Sequence, residues 1–417
     1  MSTLKVLLMA YECSPYRGSE WAVGWGRLLQ AARVAETHVI TGEENFHALE
    51  RARGEGLLPE NVHFYTPEPD AKLRARDPHA GMFAYHYGAY QHWQQLAFPL
   101  AESLHREHGF DVVHQVTVNT FREPSYAWQL EAPFVWGPVG GSQNFPLAFL
   151  PMLPAKEAAK ELVRAGVNHL SLRLKPRVRA AAHKASIVFA SNSTNAQDYR
   201  KAWGREIECL LETGLAEVNE PDRTRFEQRA AGASGPLKIL WSGELQTRKA
   251  LPVLLRALVC VKQPFQLTVL GDGPMRPLWE SEAATLGLAD RVTFCGRLPF
   301  PEAVAAMQKA ELFCFTSLRD TSGNVVLEAL AAGVPVVCFD HQGAGDMVSN
   351  ACGVKIAVTT PTRSIQQWAQ TIDSLAQEGE RLLALSRETT AQARKFLWSA
   401  NGDRINAVYR ELARVRP

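Results

Sequence analysis

The sequence predicts an α/β protein built from two Rossmann-like, doubly wound domains facing a central cleft. Three observations predict it. Short apolar runs of strand length alternate with segments of helical period. That alternation occurs twice along the chain, and a polar stretch separates the two rounds.

The first round opens at Leu4–Ala10, an apolar run typical of a parallel strand buried on both faces. The loop YECSPYRGSE follows, with Ser19 as N-cap and Trp21, Val23, Trp25, Leu28 and Leu29 at helical spacing. Thr37–Thr41 and Val62–Tyr65 read as strands, and Phe83–His108 as a long helix rich in Tyr, His and Trp. Asp111–Val118, Phe134–Trp136, Ser186–Ala190 and Ile207–Leu211 complete the strands of residues 1–215. Ala216–Pro236 is polar and reads as the linker. The second round, 237–395, starts with strand Leu237–Trp241 and helix Lys249–Val261. Strands Gln266–Leu270, Val292–Phe294, Leu312–Thr316 and Pro335–Phe339 alternate there with helices Met275–Leu286, Pro301–Ala310 and Val325–Ala332. Residues 396–417 are expected to form a helix that packs back on the N-terminal domain.

Bulk properties exclude several classes. A net charge of +2 gives no pull toward nucleic acid. Seven scattered cysteines with no C-x-x-C pair read as buried thiols rather than a metal or disulfide framework. The N-terminus resembles a first buried strand more than a signal peptide, and no apolar run approaches the ~20 residues that span a bilayer. The chain is expected to be cytoplasmic. Residues 156–184 carry eight Lys or Arg among apolar residues. They read either as a solvated helical face or as a surface that rests peripherally on the anionic inner leaflet.

In doubly wound sheets, ligands bind beyond the carboxyl ends of the strands. Four loops of the second round fall there. Gly243 and Lys249, with Arg248, bound the loop SGELQTRKA; Gly271-Asp272-Gly273-Pro274 follows the next strand. Asp320 and Glu328 stand eight residues apart around Gly323 and Asn324. Gly343-Ala344-Gly345-Asp346 is placed to approach a ligand with bare backbone. A helix starting near Asn324 offers free amides to an anion, and the carboxylates offer acceptors to hydroxyl groups. A sugar attached to a diphosphate needs that combination. In the first round, Gly18-Ser19 opens a helix, Gly137–Gly141 forms a glycine-rich loop, and His114 lies inside a strand. A lone histidine there is more often a packed core residue than a catalyst. No D-x-D occurs, which disfavours metal-dependent phosphate binding, and no G-x-x-x-x-G-K-[ST] loop points to an ATPase.

These residues bring a family into view. The stretches WSGELQTRKALPVLLRAL, LTVLGDGP, RVTFCGRLP, SLRDTSGNVVLEALAAGVPVV and HQGAGDMV, in that order, resemble the retaining glycosyltransferases of family 4, which have the GT-B fold. ECSPYRGSE, DVVHQVT and PFVWGPVGG resemble a subgroup of it. The resemblance implies that Lys249 contacts the donor diphosphate, Glu328 the ribose, and Asp320 the sugar hydroxyls. It places the amides of Gly323, Asn324 and Val325 against sugar and phosphate, and Arg297 and Leu298 near the base. It puts His114 near the donor sugar, and Gly18 and Ser19 at the diphosphate and acceptor. Lys249, Asp320 and His114 are thus the expected catalytic residues. Gly243, Arg248 and Gly271 join the expected donor contacts. Three positions depart from the pattern: Asp320 replaces a glutamate, Glu244 an arginine, and Ala250 a glycine. Arg248 is the candidate substitute for the missing cation.

The expected function is transfer of a hexose, with retention and without a metal. The donor would be a UDP- or GDP-sugar and the acceptor a hydroxyl on a sugar, glycolipid or other molecule. No cofactor is expected. The alternative is a catalytically degenerate nucleotide-sugar-binding or scaffold protein of the same fold. A nicotinamide enzyme is disfavoured, because no G-x-G-x-x-G follows Leu4–Ala10.

Overall fold

The computed structural model describes residues 3–70 and 82–414, with side chains of the second segment from residue 88 on. The chain divides into two compact units. The first holds the residues up to Ser142, Asn168–Gly214 and those from Trp398 on. The second holds Gln143–Val167 and Leu215–Leu397.

The first unit is built on strands β1 (Lys5–Ala10), β2 (Glu36–Ile40), β3 (Val62–Tyr65), β4 (Val112–Thr117), β5 (Phe134–Val139), β6 (Ile187–Ala190) and β7 (Glu208–Cys209). They form one parallel sheet in the order β3-β2-β1-β4-β5-β6-β7. The order reverses between β1 and β4, the switch point of a doubly wound sheet. Alternation explains the apolar run of β1. Leu7 and Met9 enter the core on one face, while Val6, Leu8 and Ala10 enter the core on the other. Helix α1 (Glu20–Ala32) covers the second face; α2 (Glu43–Gly54) lies between β2 and β3 in the chain, and α3 (Met82–His108) covers the first. Ser19 occupies the N-cap of α1 at φ 58°, but its side chain makes no capping bond.

Helix α4 (Ala155–Leu174) runs across the boundary between the units, and α5 (Pro176–Lys184) and α6 (Ser193–Trp203) belong to the first. The second unit adds α7 (Thr224–Ala230) and strands β8 (Leu237–Ser242), β9 (Phe265–Leu270), β10 (Val292–Gly296), β11 (Leu312–Phe315), β12 (Val336–Phe339) and β13 (Gly353–Ile356). Its parallel sheet has the order β10-β9-β8-β11-β12-β13, with the switch between β8 and β11. Helices α8 (Leu251–Cys260), α9 (Arg276–Thr285), α10 (Phe300–Lys309), α11 (Asn324–Ala331), α12 (Gln342–Met347), α13 (Pro361–Gln377) and α14 (Gly379–Arg394) complete it. The final helix α15 (Trp398–Arg414) packs on α1, where Asn401 Oδ1 accepts a bond of 2.6 Å from the buried Arg27.

The structure revises three boundaries. Gln143–Val167 belong to the second unit, with Phe145 and Phe149 in its core. Residues 216–236 are not a plain linker, because they contain α7, whose Phe226 is fully buried. Their polarity misled because it is anchored: Arg229 grips both oxygens of the buried Glu311 at 2.7 and 2.8 Å. The expected helix Lys249–Val261 is broken at Ala250, which adopts the left-handed conformation at φ 48°. Pro252 lacks an N–H and starts a fresh helix there. Among the described residues no helix is long and apolar enough to cross a membrane.

Candidate functional site

In the second unit the loops after β8 and β11 flank the switch point, where parallel α/β sheets hold ligands. The loop after β8 ends in a single 3-10 turn, Thr247–Lys249, and the left-handed Ala250. A hydrogen-bond chain ties it to β8 and the residues beyond β11. Trp241 Nε1 donates to Thr316 Oγ1 at 3.0 Å, and Thr316 Oγ1 donates to the Lys249 carbonyl at 2.8 Å. The Leu318 amide donates to the Arg248 carbonyl at 2.9 Å. These bonds bring the two loops face to face.

The result is a charge cluster. Lys249 Nζ forms a short ion pair with Asp320 Oδ2. Arg248 Nη1 lies 3.4 Å from Asp320 Oδ1, and Ser317 Oγ is 3.3 Å from Oδ2. Lys249 Nζ also sits 5.0 Å above the Phe315 ring. Burial pulls the Lys249 amine below its usual range, and Asp320 opposes that pull. Burial alone would raise the Asp320 carboxyl, yet Lys249 and Arg248 outweigh it and hold the carboxyl below its usual value. Two cations thus converge on one carboxylate at the ligand-binding end of the sheet.

Helix α11 starts beside this cluster. Gly323 is its N-cap at φ 78°, and no side chain caps it, so the amides of Asn324 and Val325 are available to an anion. Glu328 lies one turn into the helix and is exposed. Arg297, after β10, is exposed as well, and Leu298 is half-buried. Glu244 is exposed in the β8 loop and adds a favourable charge to Lys249.

The glycine motifs act differently from the expectation. Gly343 and Gly345 do not present bare backbone to a ligand; both are buried in α12. A Cβ on Gly343 would stand 2.2 Å from the Thr321 carbonyl oxygen, so this glycine lets α12 press against the Asp320 loop. Gly271, at φ 119°, likewise meets the Gly243 carbonyl, where a Cβ would stand 1.9 Å away. Gly243 and Gly271 therefore set the spacing between neighbouring loops. Sequence reasoning missed Gln342, whose Oε1 accepts a 2.7 Å bond from the Asp320 amide. Its backbone is left-handed at φ 54°, a conformation that its residue type does not signal.

The first unit corrects one catalytic expectation. His114 is fully buried in β4, with Nδ1 2.5 Å from the Tyr409 hydroxyl and Nε2 bonded to the Gly137 carbonyl. Burial, then Arg27, pushes its imidazole down to about 3. Both nitrogens are engaged in the core, so His114 has neither one open to a sugar. Gly18 and Ser19 are exposed at the start of α1. The sequence alone did not separate these cases: His114 sits inside β4, whose side chains are all buried, whereas Gly18 and Ser19 lie in the loop between β1 and α1.

Residues 236–378 match the family model described as "Glycosyl transferases group 1". Among curated proteins, the D-inositol 3-phosphate glycosyltransferase of Thermobispora bispora is 32% identical over 186 residues, 42% of each chain. That of Rhodococcus jostii is 31% identical over 182 residues, 41% of this chain and 40% of the relative. The match therefore spans about two fifths of those relatives. Over its whole length the chain is similar in fold to a sucrose-phosphate synthase from Thermosynechococcus elongatus, with TM-score 0.64 and 17% identity, covering 99% of this chain and 100% of the other. Anabaena HepE in complex with UDP gives TM-score 0.63 and 18% identity, with 98% and 100% covered. The fold class is thus GT-B, two parallel-sheet Rossmann-like units. The likeness in sequence lies in the second unit, where residues 236–378 match the group 1 glycosyl transferase model.

Proposed function

We propose that this protein is a retaining glycosyltransferase that moves a hexose from a UDP- or GDP-sugar to a hydroxyl acceptor, without a metal. The observation that carries the reading is the cluster of Lys249, Arg248 and Asp320 beside the uncapped start of α11, inside the segment that matches the group 1 model. The HepE structures with UDP and UDP-glucose support a nucleotide-sugar donor.

In this reading the donor diphosphate displaces the Asp320 carboxylate from Lys249 and lies against the amides of Asn324 and Val325. Lys249 and Arg248 meet the charge that grows as the bond between the sugar and the diphosphate breaks. Asp320, released, accepts sugar hydroxyls, and Glu328 accepts the ribose hydroxyls. The acceptor oxygen bonds to the anomeric carbon from the face the diphosphate leaves, and its proton passes to a donor phosphate oxygen. Lys249→Ala is expected to lower donor turnover by at least a hundredfold; near-normal turnover contradicts the assignment. Turnover is expected to persist in excess chelator, and strict metal dependence counts against it. The departures at Glu244 and Asp320 favour one rival, a protein that binds the donor and does not turn it over. Transfer or hydrolysis of any donor excludes it.

The acceptor is proposed to be membrane-associated, in glycolipid or polysaccharide synthesis. Val163, Val167, Leu170 and Leu174 form an exposed stripe along α4 at helical spacing, between 47 and 67% exposed. The cations around it are fewer in effect than in the sequence. Lys160 pairs with Glu157, and Lys175 and Arg177 both pair with Glu123. An anionic leaflet is thus proposed to be met through apolar contact first and charge second.

A further inference from the structure

The first unit carries a cluster that the proposed function does not use. Glu36 and His38 lie two residues apart on β2, His63 and Tyr65 two apart on β3, and His38 pairs in register with His63. Period-two alternation puts all four side chains on one face of the sheet. The end of α3 brings His108 to the same place, its ring 4.5 Å from that of His38.

Three potential ligand atoms converge there. His38 Nε2 lies 3.4 Å from Glu36 Oε1, and His63 Nε2 lies 3.5 Å from the same oxygen. One ligand atom from each of the three residues falls within 4.8 Å of the others. A tetrahedral ion bound at roughly 2.1 Å separates its ligands by about 3.4 Å, so the distances of 3.4 and 3.5 Å from the two histidines to Glu36 fit. An independent observation concerns His38. Its side chain is 1% exposed, yet Nε2 has no hydrogen-bond partner. Its other nitrogen, Nδ1, is 3.1 Å from the Tyr65 hydroxyl. With the proton on Nδ1, a bare lone pair at Nε2 faces a carboxylate. With the proton on Nε2, a buried N–H aims at that carboxylate without bonding it. A cation between them resolves either case.

We propose that Glu36, His38 and His63 bind one divalent transition-metal ion of the zinc type, through the two Nε2 atoms and the Glu36 carboxylate. Mixed nitrogen and oxygen ligands select zinc over magnesium or calcium. The Tyr65 hydroxyl holds the His38 ring from behind, as partners of ligating histidines do. The His63 side chain, 45% exposed, gives the ion a way in and leaves a fourth position to water. Lys5 Nζ is 4.0 Å from Glu36 Oε2, the other oxygen, and does not block Oε1. Glu36 is the first residue of β2, at the end of the sheet opposite the loops that follow the strands. The ion therefore lies away from the proposed donor site and ties edge strand β3 to β2. No sequence signal marks it, because E-x-H sits on one strand and its partner arrives 25 residues later through the register.

The test uses the full chain, stripped with chelator and titrated with zinc sulfate in a calorimeter. One equivalent is expected to bind with micromolar or tighter affinity and to raise the melting temperature. His63→Ala and Glu36→Gln, whose side chains are 45% and 29% exposed, are expected to melt near wild type without metal and to bind zinc at least tenfold more weakly. Absence of a stoichiometric equivalent in the wild type overturns the proposal, as does unchanged binding in both variants. Donor binding is read separately by nucleotide-sugar titration, so failure here leaves the proposed function standing.

Discussion

Asp320 is one methylene shorter than the glutamate of the family pattern, and its surroundings account for the shorter reach. Its carboxylate already touches Lys249, Arg248 and Ser317, while its amide is held by Gln342. The place of Lys249 in the loop after β8 was legible from the order of loops in the sequence. The ion pair that occupies it was not, since two residues 71 positions apart meet only through the β8–β11 pairing. Ala250 was legible as a departure but not as a strained one. At φ 48° a Cβ costs about 1 kcal/mol. Ala250→Gly is therefore expected to raise stability by roughly 0.5–1 kcal/mol in urea unfolding, and a loss would contradict the assigned strain. Glu12 gives a pH signature. Burial, then Glu20 and Glu44, raise its carboxyl to about 8 from 4.5. The folded state then binds more protons than the unfolded one between these values, so stability falls as pH rises through that window. Glu12→Gln is expected to raise the melting temperature clearly at pH 8.5 and little at pH 4.5. An equal gain at both values would refute the shift.

At the scale of elements, the strands and most helices were readable from periodicity, and the glycine loops were readable as loops. Their use was hidden, because backbone approach between loops leaves no trace in composition. Gly343 illustrates this: α12 touches the Asp320 loop through it. Gly343→Ala is expected to cost about 1–3 kcal/mol by overpacking and to weaken donor binding. A variant with unchanged stability and donor affinity would show that α12 does not position the loop. Residues 156–184 were legible as basic and amphipathic, although the pairing of Lys160 with Glu157 and of Lys175 and Arg177 with Glu123 was not. The role of α4 is checked by sedimentation with anionic vesicles at low salt. Val163→Ser with Leu170→Ser should reduce binding severalfold and leave the melting temperature within a few degrees, both residues being exposed. Equal sedimentation would remove α4 as the contact.

For the whole molecule, the twofold alternation of strand and helix announced two doubly wound units, because each buried parallel strand needs a near-continuous apolar run. Unit boundaries were less legible. Gln143–Val167 leave the first unit and return to it within one stretch of chain, and α7 buries Phe226, with Arg225 over its ring. The site stands on the second unit's sheet, and its central claim is that Lys249 holds a donor diphosphate there. A thermal-shift screen across nucleotide sugars tests it most directly, each variant being read against its own ligand-free melting temperature. A UDP- or GDP-sugar is expected to raise the melting temperature of the wild-type protein by several degrees and to leave Lys249→Ala nearly unmoved. No shift with any nucleotide sugar, or an equal shift in the variant, would contradict the account.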